Sequence, residues 1–459
     1  MNSKTRKEKL VVIGGCAAGM SAASKAKRLN PDLEVVALEK TPHVSYSACG
    51  IPYYIADLVR DASDLISITP QQFREKRGID VLTDHEVVSV SPVKRRVTAV
   101  DLTTGKEREF PYDKLVISVG GIPQKPDIPG CFLKNVFTIQ TLQDGIEIRT
   151  FVDERKPKRA LIIGGGYIAM EMAEALRRRA IEVVIIEKQA RILPEFEPEI
   201  SQLALEELRR HDVVVRTSTQ ADSITDNGDR EAGAVLISGK NETCPVDLVL
   251  VCAGLKPNTK LAESAGVLLG RSGALSVDGK MQTNVPNIYA AGDCVQVKNL
   301  VSGQPDYIPL GPTANKQGRV AGENIGGGTA LFKGVVGTSV FKTFDVYVAK
   351  TGLSVKAAQQ LGIKADSVTI TSNTKAGYFP GVKPITITVI YDKRSGRFLG
   401  AQIVGREDVS KRIDIFATAL TNRMLLTEMA YLDLSYAPPC APVWDPVLVA
   451  IHAAMGRLK

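Results

Sequence analysis

Two glycine-rich turns, each set between an apolar strand and a helix and each followed about twenty residues later by a glutamate, constrain this chain more than any other feature. In the second of them Ala160 to Ile163 reads as a strand running into Gly164-Gly165-Gly166-Tyr167-Ile168-Ala169; a helix is expected over Met170 to Arg179, and the strand Val183 to Ile186 delivers Glu187. This is the full G-x-G-x-x-A pattern of a dinucleotide-binding βαβ unit. Its first glycine makes the tight turn, its second lets a pyrophosphate approach the backbone, and the helix N-terminus faces the phosphates. Glu187 stands where it binds a ribose 2′-hydroxyl and repels a 2′-phosphate, which favours NADH, while Lys188 and Arg191 keep NADPH open.

The other turn lies about 150 residues upstream. Leu10 to Ile13 reads as a strand, Gly14-Gly15-Cys16-Ala17-Ala18-Gly19 as the turn, Met20 to Leu29 as a helix, and Glu34 to Leu38 as the strand that delivers Glu39, with Lys40 beside it. Cys16 replaces the middle glycine, so the pattern is incomplete and rests on its flanking strands and carboxylate. One nucleotide site needs only one such unit, so the pair is an internal repeat that implies two nucleotides.

Between the turns lies Ser45-Tyr46-Ser47-Ala48-Cys49-Gly50-Ile51-Pro52-Tyr53-Tyr54. A helix starting near Gly50 or Pro52 would aim its N-H groups at the Cys49 sulfur and favour the thiolate, making Cys49 a candidate redox thiol. The plain alternative is a buried cysteine acting as a small hydrophobe. The seven cysteines form no close pair, and Val44 and Tyr54 flank Cys49 at five residues, so it has no local disulfide partner. Free thiols and the absence of a convincing leader in the ragged basic N-terminus, Met1 to Lys9, point to the cytoplasm. No metal ligand set is assigned.

At 459 residues the chain divides into about three domains. No apolar run approaches the ~18 residues of a membrane span. The 58 Lys and Arg against 50 Asp and Glu fall in short clusters without aromatic interleaving, which argues against nucleic acid and fits an anionic small substrate. Ser21, Lys25 and Arg28 recur at helical spacing on one face of the first helix, beside the Cys49 segment, and are candidates to hold the phosphates of a bulky thiol. Further strands are expected at Val87 to Val93, Arg96 to Leu102, Tyr112 to Val119 and Val246 to Val251, and a helix over Thr138 to Asp153.

The segment Thr283-Asn284-Val285-Pro286-Asn287-Ile288-Tyr289-Ala290-Ala291-Gly292-Asp293 completes a set that resembles the pyridine nucleotide-disulfide oxidoreductase family over essentially the whole chain. The resemblance implies an α/β fold with two Rossmann-like, glutathione reductase-like dinucleotide-binding domains plus an α+β C-terminal dimerisation domain. Residues 1–150 and 256–330 would bind FAD, 151–255 NAD(P)H, and 331–459 would form a homodimer. Gly14, Gly19, Glu39, Lys40, Ser45 and Asp293 would hold FAD, with Asp293 on the ribityl chain, and Gly164, Gly166 and Glu187 the nicotinamide nucleotide.

Ser45, Cys49, Gly50, Pro52, Tyr53 and Tyr54 match the single-cysteine branch, which includes coenzyme A disulfide reductases and NADH-dependent persulfide or polysulfide reductases. The tail Tyr436-Ala437-Pro438-Pro439-Cys440-Ala441-Pro442-Val443-Trp444-Asp445-Pro446 resembles a segment that family members insert into the partner's active site. Tyr378 and Tyr436 then match tyrosines that protonate or orient the leaving thiolate, and Asn315, in Gly311 to Arg319, a substrate contact. The activity implied is NAD(P)H-dependent reduction of CoA disulfide, CoA persulfide or polysulfide through Cys49. Ala17 stands where oxygen-reducing members carry histidine, which argues against an NADH oxidase; a non-catalytic flavoprotein sensor is the other alternative. Cys440 is read as a buried structural thiol, with a resolving role in trans as the less favoured option.

Overall fold

The computed structural model describes residues 6–237 and 242–458; the first five residues of the basic tail lie outside the described residues. The first unit opens with β1 (Lys9–Ile13), α1 (Ala17–Leu29) and β2 (Glu34–Leu38). The helix starts three residues before the expected Met20, because the Met20 amide already donates to the Cys16 carbonyl at 3.0 Å. A short helix α2 (Ile51–Ile55) follows the Cys49 turn, then α3 (Pro70–Arg77) with a Thr69–Gln72 capping box, β3 (Ile79–Leu82) and β4 (Lys114–Ile117). A three-stranded antiparallel sheet spans residues 85–111, and its last strand, Glu107–Pro111, was not expected because only Phe110 of it is buried.

The repeat is plain in the second unit: β5 (Arg159–Ile163), α4 (Tyr167–Arg178), β6 (Glu182–Ile186), α5 (Pro198–Arg210), β7 (Val214–Arg216) and β8 (Leu248–Val251). The helix that joins the units covers Leu142–Arg155 and starts later than Thr138, where Thr141 and Asp144 form a reciprocal cap. The chain then returns to the first unit with β9 (Ile288–Ala290) and α6 (Gly311–Ile325). Strand orders are β9-β4-β1-β2-β3 and β7-β6-β5-β8 extended by Val136–Phe137, all parallel, so the turn after each first strand opens at the carboxyl edge where such sheets bind ligands.

The C-terminal unit is an antiparallel sheet, β10 (Ser339–Thr343), β11 (Val346–Gly352), β12 (Ala365–Asn373), β13 (Pro384–Asp392) and β14 (Phe398–Gly405), in the order β10-β11-β14-β13-β12. It is backed by α7 (Val409–Thr421) and α8 (Pro446–Met455). Buried Glu174 of α4 ties it to the second unit: Lys342 reaches it at 3.0 Å and the Phe344 amide donates to it at 2.7 Å. No helix among the described residues is long and apolar enough to cross a membrane.

Candidate active site

Backbone overlap explains the first turn. Gly14 has φ +100° and a Cβ there would overlap the Ser118 carbonyl, while a Cβ at Gly19 would overlap the Gly14 carbonyl oxygen. Glu39 closes the turn by accepting from the Gly15 amide at 2.6 Å and from the Thr41 amide at 2.9 Å. Glu187 does the same in the second unit, accepting from the Gly165 and Gln189 amides, both at 2.7 Å. Gly166 differs. A Cβ there would meet nothing within 4 Å, so the chain itself does not demand glycine, and the open space lies at the N-terminus of α4, where a pyrophosphate would sit.

A raised carboxyl and an orphaned amide mark a second cradle at the end of β9. Burial pushes the Asp293 carboxyl up to about 6, and the buried Gln317 Nε2 has no hydrogen-bond partner, although Gln317 Oε1 accepts from the Gly292 amide at 2.8 Å. Hydroxyl-rich ligand atoms would satisfy both, as the ribityl chain of a flavin does. Lys40 pairs with Glu86 at 2.7 Å.

Cys49 lies in a 3-10 turn, Ala48–Gly50, joined to the first glycine turn through the Ser45 amide, which donates to the Gly15 carbonyl at 2.9 Å. The expected lowering of its pKa does not occur. Its thiol is raised above the usual range, by burial first, then by the charges of Glu171 and Asp293, and the five-residue α2 is too short to compensate. Glu171, on α4, is itself pushed up to about 7 by burial and by Glu174, so it ionises near neutrality beside the thiol. Its charge holds the Cys49 pKa up. Glu171→Gln should therefore move the pH midpoint of Cys49 alkylation to lower pH, and an unmoved midpoint would show that this field does not reach the sulfur.

Next to the Cys49 segment opens a cavity of ≈ 340 Å³, lined by Ser45, Tyr46 and Ser47, by α1, by the end of α3 and by α6. Three arginines, Arg28, Arg77 and Arg319, face it. Ser21 donates to Asn315 Oδ1 at 2.7 Å across it, and Arg77 to Ser24 at 2.7 Å. Of the predicted cationic face, Ser21 and Arg28 line this space, but Lys25 does not: it pairs with Glu323 of α6 at 3.1 Å. The reason is how α1 packs on α6, where a Cβ at Gly318 or Gly322 would overlap α1 carbonyls, bringing the helices close enough for the side chains to meet. Arg77, Arg319, Ser24, Gln317 and Glu171 were not foreseen. Arg319 alone had a local signal, one helical turn after Asn315.

Tyr378 and Tyr436 lie far from Cys49's elements in sequence but together on the C-terminal unit, 78 % and 48 % exposed. A hydrogen bond in which the Tyr436 hydroxyl donates to Tyr378 is the first cause that raises the Tyr436 phenol above the usual range. Trp444, Val443 and Tyr431 of the same unit are also exposed, large apolar side chains of the kind buried on association. Cys440 is exposed, not buried as expected.

Residues 8–318 match the model described as pyridine nucleotide-disulphide oxidoreductase, and residues 338–446 match the dimerisation domain of the same family. A Pyrococcus furiosus NAD(P)H sulfur oxidoreductase (CoA-dependent) is 39 % identical over 444 residues, covering 96 % of this chain and 98 % of that protein. A Methanocaldococcus jannaschii NADH oxidase is 35 % identical over 450 residues, covering 98 % and 99 %. The solved structure of an NAD-dependent persulfide reductase from A. fulgidus superposes with a TM-score of 0.94 at 38 % identity, covering 98 % of this chain and 83 % of that one.

Proposed function

The chain belongs to the pyridine nucleotide-disulphide oxidoreductase family, whose members use FAD and NAD(P)H, and we propose that it reduces disulfides or persulfides of coenzyme A through the single thiol of Cys49. One observation carries the reading: a cavity faced by three arginines adjoins a segment whose one cysteine has no partner thiol in it. A disulfide-exchange enzyme with two local cysteines needs no phosphate pocket, whereas coenzyme A brings its phosphates with its thiol, and guanidinium pairs suit them.

Asp293, Gln317, Glu39, Ser45, Gly14 and Gly19 would hold FAD, and Gly164, Gly166 and Glu187 the nicotinamide nucleotide. Arg191 donates to the Phe196 carbonyl at 3.0 Å through Nη2 while its buried Nε has no partner, so Glu187 favours NADH and Arg191 keeps NADPH open. The chemistry supplied by the bound pair is hydride in from the nicotinamide and an electron pair out to the Cys49 sulfur. Arg28, Arg77, Arg319, Ser21 and Asn315 bind and orient the substrate so that its sulfur-sulfur bond faces Cys49.

The Cys49 thiolate attacks one sulfur of CoA disulfide. A Cys49-CoA mixed disulfide forms, the substrate sulfur-sulfur bond breaks, and the first CoA leaves as a thiolate that takes a proton from Tyr436 or Tyr378 of a partner subunit. Two-electron reduction of the mixed disulfide regenerates the Cys49 thiolate and releases the second CoA. The enzyme would act as a cytoplasmic homodimer with each tail in the other's site; the matched dimerisation domain and the exposed aromatic side chains support the dimer.

Removing Arg77 or Arg319 tests the pocket. Each alanine variant should raise KM for CoA disulfide roughly ten- to a hundred-fold, the worth of one charge-assisted hydrogen bond, with KM for a small uncharged disulfide unchanged. Equal effects on both substrates would remove CoA from the account. The oxidase-named relative makes oxygen the second acceptor to measure; its uptake should remain a small fraction of disulfide turnover.

A further inference from the structure

The loop that carries Tyr378 and the tail that carries Tyr436 converge on one wholly buried side chain, Arg412 of α7. Its Nε donates to Asp445 Oδ1 at 3.1 Å, and its Nη2 donates to Asp445 Oδ2 at 3.0 Å and to the Thr374 carbonyl at 3.1 Å. Asp445 ends the tail and caps α8 by accepting from the Val447 amide at 2.9 Å. Thr374 begins the loop, and its hydroxyl donates to Glu407 at 2.5 Å. One further bond joins the two segments directly: the Ala376 amide donates to the Pro438 carbonyl at 3.2 Å.

A planar guanidinium held on both sides fixes distance and orientation together, which a lysine or an apolar residue does not. We propose that Arg412 is a positioning residue for the tyrosine pair, locking the Tyr378 loop and the Tyr436 tail into one rigid unit so that both phenols meet the leaving thiolate at a set spacing. The inference rests on the proposed entry of this tail into the partner's site. In the step it serves, the proton moves from a phenol to the thiolate freed from the disulfide, and the tyrosinate is reprotonated from solvent.

Breaking a buried ion pair from one side leaves the other charge stranded, so the test replaces both. R412M/D445N keeps the side-chain volume and the α8 cap while removing the clamp. It should assemble as the wild-type dimer and be reduced by NADH at an unchanged rate, yet turn over CoA disulfide about ten- to a hundred-fold more slowly. Adding Y378F and Y436F to it should cost no more, although those two substitutions alone slow the wild-type enzyme by a similar factor. Fluorine NMR of fluorotyrosine-labelled protein, with Y436F marking the line, should show the raised Tyr436 ionisation return toward that of a free tyrosine.

Unchanged turnover, full additivity with the tyrosine substitutions, or an unmoved Tyr436 titration would overturn the role of Arg412. If Y378F/Y436F alone has no effect, the tyrosine reading falls and this inference with it; if only the clamp variant is silent, the tyrosine reading stands. Should R412M/D445N fail to assemble, R412K, which keeps the charge without the two-sided grip, is read by the same cycle and must show the same non-additivity.

Discussion

Cys49→Ser should lower turnover with CoA disulfide or persulfide by at least about a thousandfold, while NADH still bleaches the bound flavin at close to the wild-type rate. The size follows from the lack of a substitute. All seven cysteines are unpaired, but those packed around the first glycine turn and the dinucleotide sheets are poor substitutes. Cys16, which lines the same cavity, is pushed up to about 11 by burial and donates to the Tyr46 carbonyl; Cys252 and Cys294 are raised to about 12. Serine is isosteric, so the flavin cradle at Asp293 and Gln317 is untouched. Stopped-flow absorbance separates the two halves, and disulfide turnover surviving in the serine variant would mean that electrons leave by another route.

The second large effect distinguishes two glycines that look alike in sequence. Gly19→Ala places a methyl group into the Gly14 carbonyl oxygen, with Ser118 Oγ at 2.6 Å behind it, so the turn or α1 must shift. The variant should lose about 3 kcal/mol of stability and purify largely without flavin. Gly166→Ala has φ −81° and open space, so it should melt within a degree or two of wild type and retain flavin. Its loss should appear instead in KM for NADH, raised about tenfold or more because the methyl occupies the place of the pyrophosphate. Thermal midpoint, flavin content and KM, measured on both variants, give opposite patterns; a destabilised Gly166→Ala with normal KM would show that glycine to be structural.

What the sequence made legible was local. The apolar strands, the glycine turns and the two glutamates can be read from neighbours within one βαβ unit, and the structure places them together, with each glutamate also bracing its own turn. The substrate cavity was half legible. Helical spacing put Ser21, Lys25 and Arg28 on one face, but not which helix packs against it, and α6 claimed Lys25 through Glu323. Arg77 reaches the cavity from the end of α3, a meeting that only the tertiary fold arranges. The direction of the Cys49 shift was misread for the same reason: the residues after the cysteine suggested a favourable helix end, whereas burial first and then Glu171, on the other dinucleotide unit, set the sign. The Arg412 clamp was out of reach for sequence reading, because an arginine on an amphipathic helix carries no mark of being buried.

The most direct test of a single-thiol route is to mix NADH-reduced enzyme with limiting CoA disulfide without oxygen, quench in acid and weigh the peptides. One CoA attached to the peptide that contains Cys49, appearing and decaying at rates compatible with turnover, is the predicted result. Full release of two CoA per disulfide with Cys49 never carrying an adduct, in an enzyme still active as the serine variant, would contradict it.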